Sequence, residues 1–133
     1  MISFVLDASV AGNWLGDEPP TGISEELRDR TLSREAIVPA LFRFEMANVA
    51  LSKLRSLKIA DQDFIFELLN DWRVQVDPQE PSYEGILRIA VECGISAYDA
   101  AYLELAKRRG LPLATFDKAL RKAAKHIGVK VIR

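Results

Sequence analysis

The chain has one cysteine and one histidine among 133 residues. A lone Cys93 cannot close an internal disulfide, and no Cys/His set is present to hold zinc. Cys93 therefore reads as a small buried hydrophobe, in keeping with a reducing compartment. The single His126 falls near a helix C-terminus, where the dipole favours a cation, and reads as structural. No apolar run approaches the roughly 20 residues that span a membrane. The opening stretch, MISFVLDASV, has no basic residue, and Asp7 interrupts its short apolar run, so no secretion signal is read. A cytoplasmic protein is expected. Repeats, low-complexity tracts and linkers are also missing, so residues 1–133 read as one domain with one core.

Net charge is close to balanced, at −1. The balance hides an asymmetry. Residues 107–133 hold nine Lys or Arg and one acid, whereas residues 1–106 hold nine basic and eighteen acidic residues. A cationic C-terminal segment suits a polyanionic partner, and equally a solvated helix face bearing Lys118, Arg121, Lys122 and Lys125.

Short apolar runs alternate with helical patterns. Strands are expected at Ile2 to Leu6, Ala36 to Val38, Arg73 to Asp77, Leu113 to Thr115 and Val129 to Ile132. Helices are expected at Ala8 to Leu15, Ser24 to Ser33 with Ser24 as N-cap, Pro39 to about Leu57, and Asp61 to Trp72 with Asp61 as cap. Three more are expected at Ser82 to Cys93, Ser96 to Arg109 closed by Gly110, and Lys118 to His126. Gly16 to Gly22 reads as a loop. Trp72, at an apolar helix position, reads as core. The alternation predicts an α/β fold with a mainly parallel sheet of about five short strands. Ligands of such sheets bind outside the carboxyl ends of the strands.

Four acids fall near that edge. Asp7 and Asp117 follow strands, Asp99 sits in a helix first turn, and Glu45 lies early in the helix after the second strand. Each of Asp99 and Asp117 has a simpler reading as a helix cap: Ser96-x-x-Asp99 fits a capping box, and Asp117 precedes a helix. Glu45 occupies no cap position, and its neighbours Phe42, Phe44, Met46 and Val49 are apolar. Gathered together, four carboxylates need protons or a cation to offset desolvation and repulsion. Oxygen-only donors suit Mg2+ or Mn2+. Such ions activate water and stabilise the attacking and leaving oxygens of phosphodiester hydrolysis. Ser9, Asn48 and Thr115 stand at spacings from which each could steady a carboxylate or touch substrate. Their plainer readings are a cap, an exposed polar residue and a strand residue.

VLDASV, FEMANVAL, SAYDAAYLELA and LATFDKAL, in that order, resemble the PIN-domain nucleases, and more narrowly the VapC toxins of toxin–antitoxin pairs. The resemblance covers the whole chain, and YDAAYLELA followed by TFDKAL is its most specific part. It implies a three-layer α/β/α fold and a Mg2+- or Mn2+-dependent endoribonuclease. It also implies a homodimer, silenced by a small cognate antitoxin, acting on structured RNA such as tRNA or rRNA. The family's four acids fall on Asp7, Glu45, Asp99 and Asp117, as catalytic and metal-binding residues. Its polar helpers fall on Ser9, Asn48 and Thr115. A basic rim of Lys118, Arg121, Lys122 and Lys125 would hold the RNA backbone, with Arg43 nearer the acids. Trp14, Leu15, Phe42, Leu51 and Leu54 could line an antitoxin groove or simply pack in the core.

Two other readings predict different behaviour. A non-catalytic PIN-like binding module would keep the acids as caps and partner contacts. A phosphoaspartate protein would use Asp7, but the second acid its phosphatases need two residues on is Ser9 here.

Overall fold

The computed structural model describes residues 1–16, 18–56 and 62–133. The expected helix end at Leu57 and the cap at Asp61 lie outside them. Four strands form one parallel sheet in the order β3-β2-β1-β4: β1 (Phe4–Leu6), β2 (Ala36–Val38), β3 (Gln75–Val76) and β4 (Leu113–Ala114). Seven helices are described: α1 (Ala8–Ala11), α2 (Ile23–Leu32), α3 (Phe42–Arg55), α4 (Gln62–Asp71), α5 (Tyr83–Cys93), α6 (Ala97–Arg109) and α7 (Lys118–His126).

Successive strand residues point to opposite faces of a sheet. Yet Phe4, Val5, Leu6, Ala36, Ile37 and Val38 are all fully buried. Both faces are therefore covered, which is why these strands are continuous apolar runs rather than alternating ones. The expected α/β architecture is present. The fifth strand is not: Val131 makes one parallel bridge to Leu113, and the segment extends no further as a strand. Val129 to Ile132 lies at the sheet margin, held to β4 by Leu113 N–H donating to the Lys130 carbonyl at 2.8 Å and Ile132 N–H donating to the Leu113 carbonyl at 2.9 Å.

Local departures have local causes. The helix expected over Ala8 to Leu15 splits into α1 and a 3-10 turn at Gly12–Leu15. Gly12, a poor residue for a helix interior, begins the tighter turn. Ser24 is no cap: α2 starts one residue earlier. The Ser24 carbonyl and hydroxyl instead accept from Trp14 Nε1, at 3.1 and 3.2 Å. Pro39 does not open α3; its carbonyl accepts from Phe42 N–H in a turn, and the helix begins there. Gly110 ends α6 as expected, with φ 65° in the left-handed region that glycine adopts without strain.

Trp14, Leu15 and Phe42 belong to the core, and Trp14 meets Trp72 edge-on at 5.2 Å between ring centroids. Leu51 is exposed and Leu54 half-buried.

Asp77, just past β3, is an acid at the same sheet edge as Asp7, and it is buried. Arg108 donates to its Oδ2 at 2.5 Å and to Glu104 Oε1 at 2.7 Å, while Arg109 lies 3.5 Å from Oδ1. Burial alone would raise its pKa. Hydrogen bonds from Arg108 and Gln79, with both arginine charges, hold it below the usual carboxylate value instead. A lowered carboxylate contributes stability above its unfolded pKa and loses it as pH falls through the folded one. Arg108→Ala is therefore expected to destabilise the fold by about 3 kcal/mol, the cost of stranding a buried charge. Denaturant unfolding at neutral pH checks this, and the difference from wild type should shrink in acid.

Candidate functional site

The strand order places a topological switch point between β1 and β4. The chain leaves β1 for β2 on one side and returns to β4 on the other. The crevice outside the carboxyl ends of two such strands is where open α/β sheets bind ligands. Leu6 is level with Ala114. The next residue on each strand, Asp7 and Thr115, therefore stand side by side.

Thr115 Oγ1 donates to Asp7 Oδ2 at 2.7 Å. Ser9, in the first turn of α1, donates to the same oxygen at 2.6 Å. Each hydroxyl has one proton, and both protons go to Oδ2. Each hydroxyl oxygen then accepts a backbone N–H, Phe116 onto Ser9 at 2.9 Å and Asp117 onto Thr115 at 3.1 Å. Among the described residues nothing donates to Asp7 Oδ1. Asp7 is thus buried, 6% exposed, with one oxygen committed and the other not. Although it precedes α1, its side chain caps nothing.

Asp117 behaves as the simpler reading predicted. It caps α7, accepting from Leu120 N–H through Oδ1 at 3.0 Å, and it is exposed. At α6 the cap is Ser96, whose hydroxyl accepts from the Asp99 N–H at 3.1 Å. The reciprocal half of a capping box, from the Asp99 carboxylate back to the Ser96 backbone, is not made. Asp99 is consequently a half-buried carboxylate without a capping duty.

Glu45 is held by a core residue of α6 that the sequence reading did not single out. Tyr102 is fully buried, but its hydroxyl donates to Glu45 Oε1 at 2.5 Å. Its spacing from Asp99, three residues along one helix, was the available signal: residues three apart share a helix face. Burial raises the Tyr102 pKa, as does the Glu45 carboxylate, so the phenol stays a donor.

The four acids act on one another. Desolvation raises the Glu45 pKa most, and the charges of Asp7 and Asp99 raise it further, against the lowering effect of the Tyr102 hydrogen bond. Desolvation also leads the rise at Asp99, followed by the charges of Asp117 and Asp7, against the lowering effect of the Ser96 side chain. A negative potential has therefore collected at the switch point. Among the described residues, however, no three Asp, Glu, His or Cys side chains are grouped tightly enough to enclose an ion unaided.

Two further expected residues make no hydrogen bond or ion pair with the acids among the described residues. Asn48 is exposed on α3 and makes no hydrogen bond to them. Arg43 is exposed and makes no ion pair with them. It lines a cavity of about 290 Å³ with Phe42, Met46, Leu69, Trp72 and Val74, on the side of α3 that faces α4. Ser9 and Thr115 are the helpers that reach an acid. Thr115→Val keeps the shape but removes a donor to Asp7 and the acceptor for Asp117 N–H. If Asp7 binds a metal, activity should fall about 10–100-fold, as when a ligand's supporting hydrogen bond is removed. Cleavage rates beside an unchanged circular dichroism spectrum check this.

No described helix is long and apolar enough to cross a membrane. One curated relative, exonuclease VapC9 of Pyrobaculum aerophilum, is 43% identical over 42 residues, a stretch covering 32% of this chain and 32% of the relative. Among solved structures, PAE2754 from Pyrobaculum aerophilum superposes with a TM-score of 0.67 at 25% identity, over 92% of this chain and 79% of that one. FitAcB from Neisseria gonorrhoeae does so with a TM-score of 0.61 at 22% identity, over 98% and 96%, a likeness of fold. The PIN domain model matches residues 4–126, a span that holds the four strands, the seven described helices and all four acids, and the chain belongs to the PIN-domain family.

Proposed function

We propose that this PIN domain is a Mg2+- or Mn2+-dependent endoribonuclease, a VapC-type toxin that a small cognate antitoxin silences. The observation that carries the reading is Asp7. It is pinned at the switch point through one oxygen by Ser9 and Thr115, with Glu45 and Asp99 near enough for charge coupling to it and Asp117 coupled to Asp99.

The donor set fits a hard divalent cation. Its atoms are carboxylate oxygens, and two of the carboxyls have raised proton affinity that a cation would relieve. Asp7, Glu45, Asp99 and Asp117 are the proposed ligands. When bound, such an ion supplies charge against the phosphodiester and lowers the pKa of water. With no tighter nest of side chains among the described residues, water and substrate oxygens would fill the rest of its shell, the habit of Mg2+. The chain's own part is orientation. Ser9 and Thr115 fix the Asp7 rotamer and leave Oδ1 available. Tyr102 fixes Glu45. Capping uses Asp117 Oδ1 and leaves Oδ2.

The relative's name, exonuclease VapC9, supports phosphodiester hydrolysis. Internal cutting of tRNA or rRNA is the form proposed here. Incubation of the purified protein with either RNA and Mg2+ or Mn2+ tests it: discrete internal fragments support the proposal. RNA left whole overturns it, and mononucleotides alone would make the enzyme an exonuclease. A homodimer is also proposed. Tyr83, Leu87 and Val91, at i, i+4 and i+8 of α5, offer a second copy an exposed apolar stripe.

One observation favours the second reading, a non-catalytic binding module: Asp117 does cap its helix. Calorimetric titration with Mn2+ separates the two, since the module binds no metal at the acids.

A further inference from the structure

Tyr102 is fully buried, yet its hydroxyl has partners on two other segments of the chain. It donates to Glu45 Oε1 at 2.5 Å, reaching α3. The Ala8 backbone N–H, directly after Asp7, donates to the same phenol oxygen. Ala8 is the first residue of α1. The N–H groups of a helix's first turn have no partner within the helix, and the Asp7 side chain caps none of them. The tyrosine oxygen supplies what α1 lacks. A phenol has one proton to give and lone pairs to receive, so both capacities are used.

One oxygen therefore stands between the segments that carry Asp7 and Glu45. After desolvation, the Asp7 charge is the larger of the two charges that raise the Glu45 pKa, so the two carboxylates repel. Glu45 is only half-buried, and among the described residues no other donor reaches it. A long side chain of this kind gains rotamer freedom when released, and repulsion would turn it away from Asp7. The Tyr102 hydroxyl opposes that turn. Its ring is packed on all sides, so the oxygen cannot follow Glu45 and Glu45 must follow the oxygen. Glu45 then shows the division found at Asp7: one oxygen committed to a hydroxyl, and no described donor on the other. The contacts are continuous. They run from Glu45 through Tyr102 to the Asp7–Ala8 peptide, and from Asp7 through Thr115 to the Asp117 N–H. Asp99 lies three residues before Tyr102, on the same face of α6.

We propose that Tyr102 is a positioning residue that sets the separation of Asp7 and Glu45, and through it how strictly the acid cluster selects among divalent cations. The proposal rests on the metal-dependent reading above and goes beyond it, from which residues hold a cation to what selects one. Mg2+ demands near-ideal octahedral geometry at about 2.0–2.1 Å, whereas Ca2+ accepts flexible arrangements at about 2.3–2.6 Å. Carboxylates held in place favour the smaller, stricter ion, and loosened ones give up that preference.

Tyr102→Phe keeps the ring and removes the oxygen. Calorimetric titrations with MgCl2 and with CaCl2, in the absence of RNA, read the two affinities. The variant should bind Mg2+ about 10–100-fold more weakly, the range for losing a hydrogen bond that orients a metal ligand. Ca2+ binding should weaken less, so the preference for Mg2+ falls. A tyrosine that only packs would lower the melting temperature of the metal-free protein and leave both affinities unchanged. That result overturns the proposal, as does equal weakening for the two ions. A second measurement needs no variant. Of the three tyrosines, Tyr83 and Tyr98 are exposed and only Tyr102 is buried. Its hydroxyl proton is the one shielded from exchange with solvent. In the wild type, the NMR signal of that proton should shift in step with Mg2+ binding, and a signal that stays put while Mg2+ binds overturns the proposal. A wild type that binds no Mg2+ at the acids sinks the metal reading and this one together. Wild-type Mg2+ binding that Tyr102→Phe retains in full sinks this one alone.

Discussion

Asp99→Asn is expected to lower RNA cleavage on the order of 10³-fold, within the range that loss of a positioned acid–base or charge-stabilising group costs. It should do so without loss of stability. The reason lies in which atom makes the cap. Ser96 Oγ accepts from the Asp99 backbone N–H, and asparagine keeps that N–H. What the substitution removes is a half-buried carboxylate whose proton affinity is raised by desolvation and by Asp117 and Asp7. Relieving that strain should leave the melting temperature at or above the wild-type value at neutral pH, the pattern of a site held at a cost to stability. The binding-module reading predicts the reverse: function kept, and about 1 kcal/mol lost with a cap. Cleavage and thermal unfolding measured on one preparation separate the two. An active but destabilised variant would remove Asp99 from the chemistry.

Wild-type protein is expected to melt several degrees higher in saturating Mn2+ or Mg2+ than in EDTA at neutral pH, and the difference should vanish in acid. Glu45 and Asp99 both have raised folded-state pKa values. A raised carboxylate stabilises the fold below its unfolded pKa, and that contribution is lost as pH rises through the folded one. The fold therefore carries a repulsion at neutral pH that a cation can offset. Ligand at a hundred times its Kd adds about 2.7 kcal/mol. Below the ordinary carboxylate range the acids are protonated, binding is lost and so is the repulsion. Asp7→Asn should reduce the metal-induced shift more than Asp117→Asn, because Asp7 is buried with an unengaged Oδ1 whereas Asp117 is exposed and caps α7. An equal shift in the quadruple Asn/Gln variant would show that the ion binds elsewhere.

The acids illustrate how far reading the chain could go. Asp7 and Thr115 were legible as partners in type but not as neighbours, since nothing in either segment states that Leu6 is level with Ala114. Asp77 follows a strand at the same sheet edge as Asp7, yet Arg108 and Arg109 neutralise it. Position at an edge is therefore insufficient; the neighbours supplied by α6 decide. Tyr102 is core, apart from one hydroxyl that meets a residue 57 positions away. Arg43 is two residues from Glu45, but that spacing turns it around the helix into a cavity that Glu45 does not line.

Local sequence patterns alone determined the class of fold, the helix caps at Ser96 and Asp117, and the burial of the strands. These depend on local backbone chemistry and on which residues avoid water, both written in short stretches of chain. Only the tertiary structure decided which acids share a field, which of them is tied to an arginine, and that one tyrosine hydroxyl joins two of the segments carrying them. Those outcomes depend on strand order and register, and so on pairings between residues a hundred positions apart that no local pattern contains.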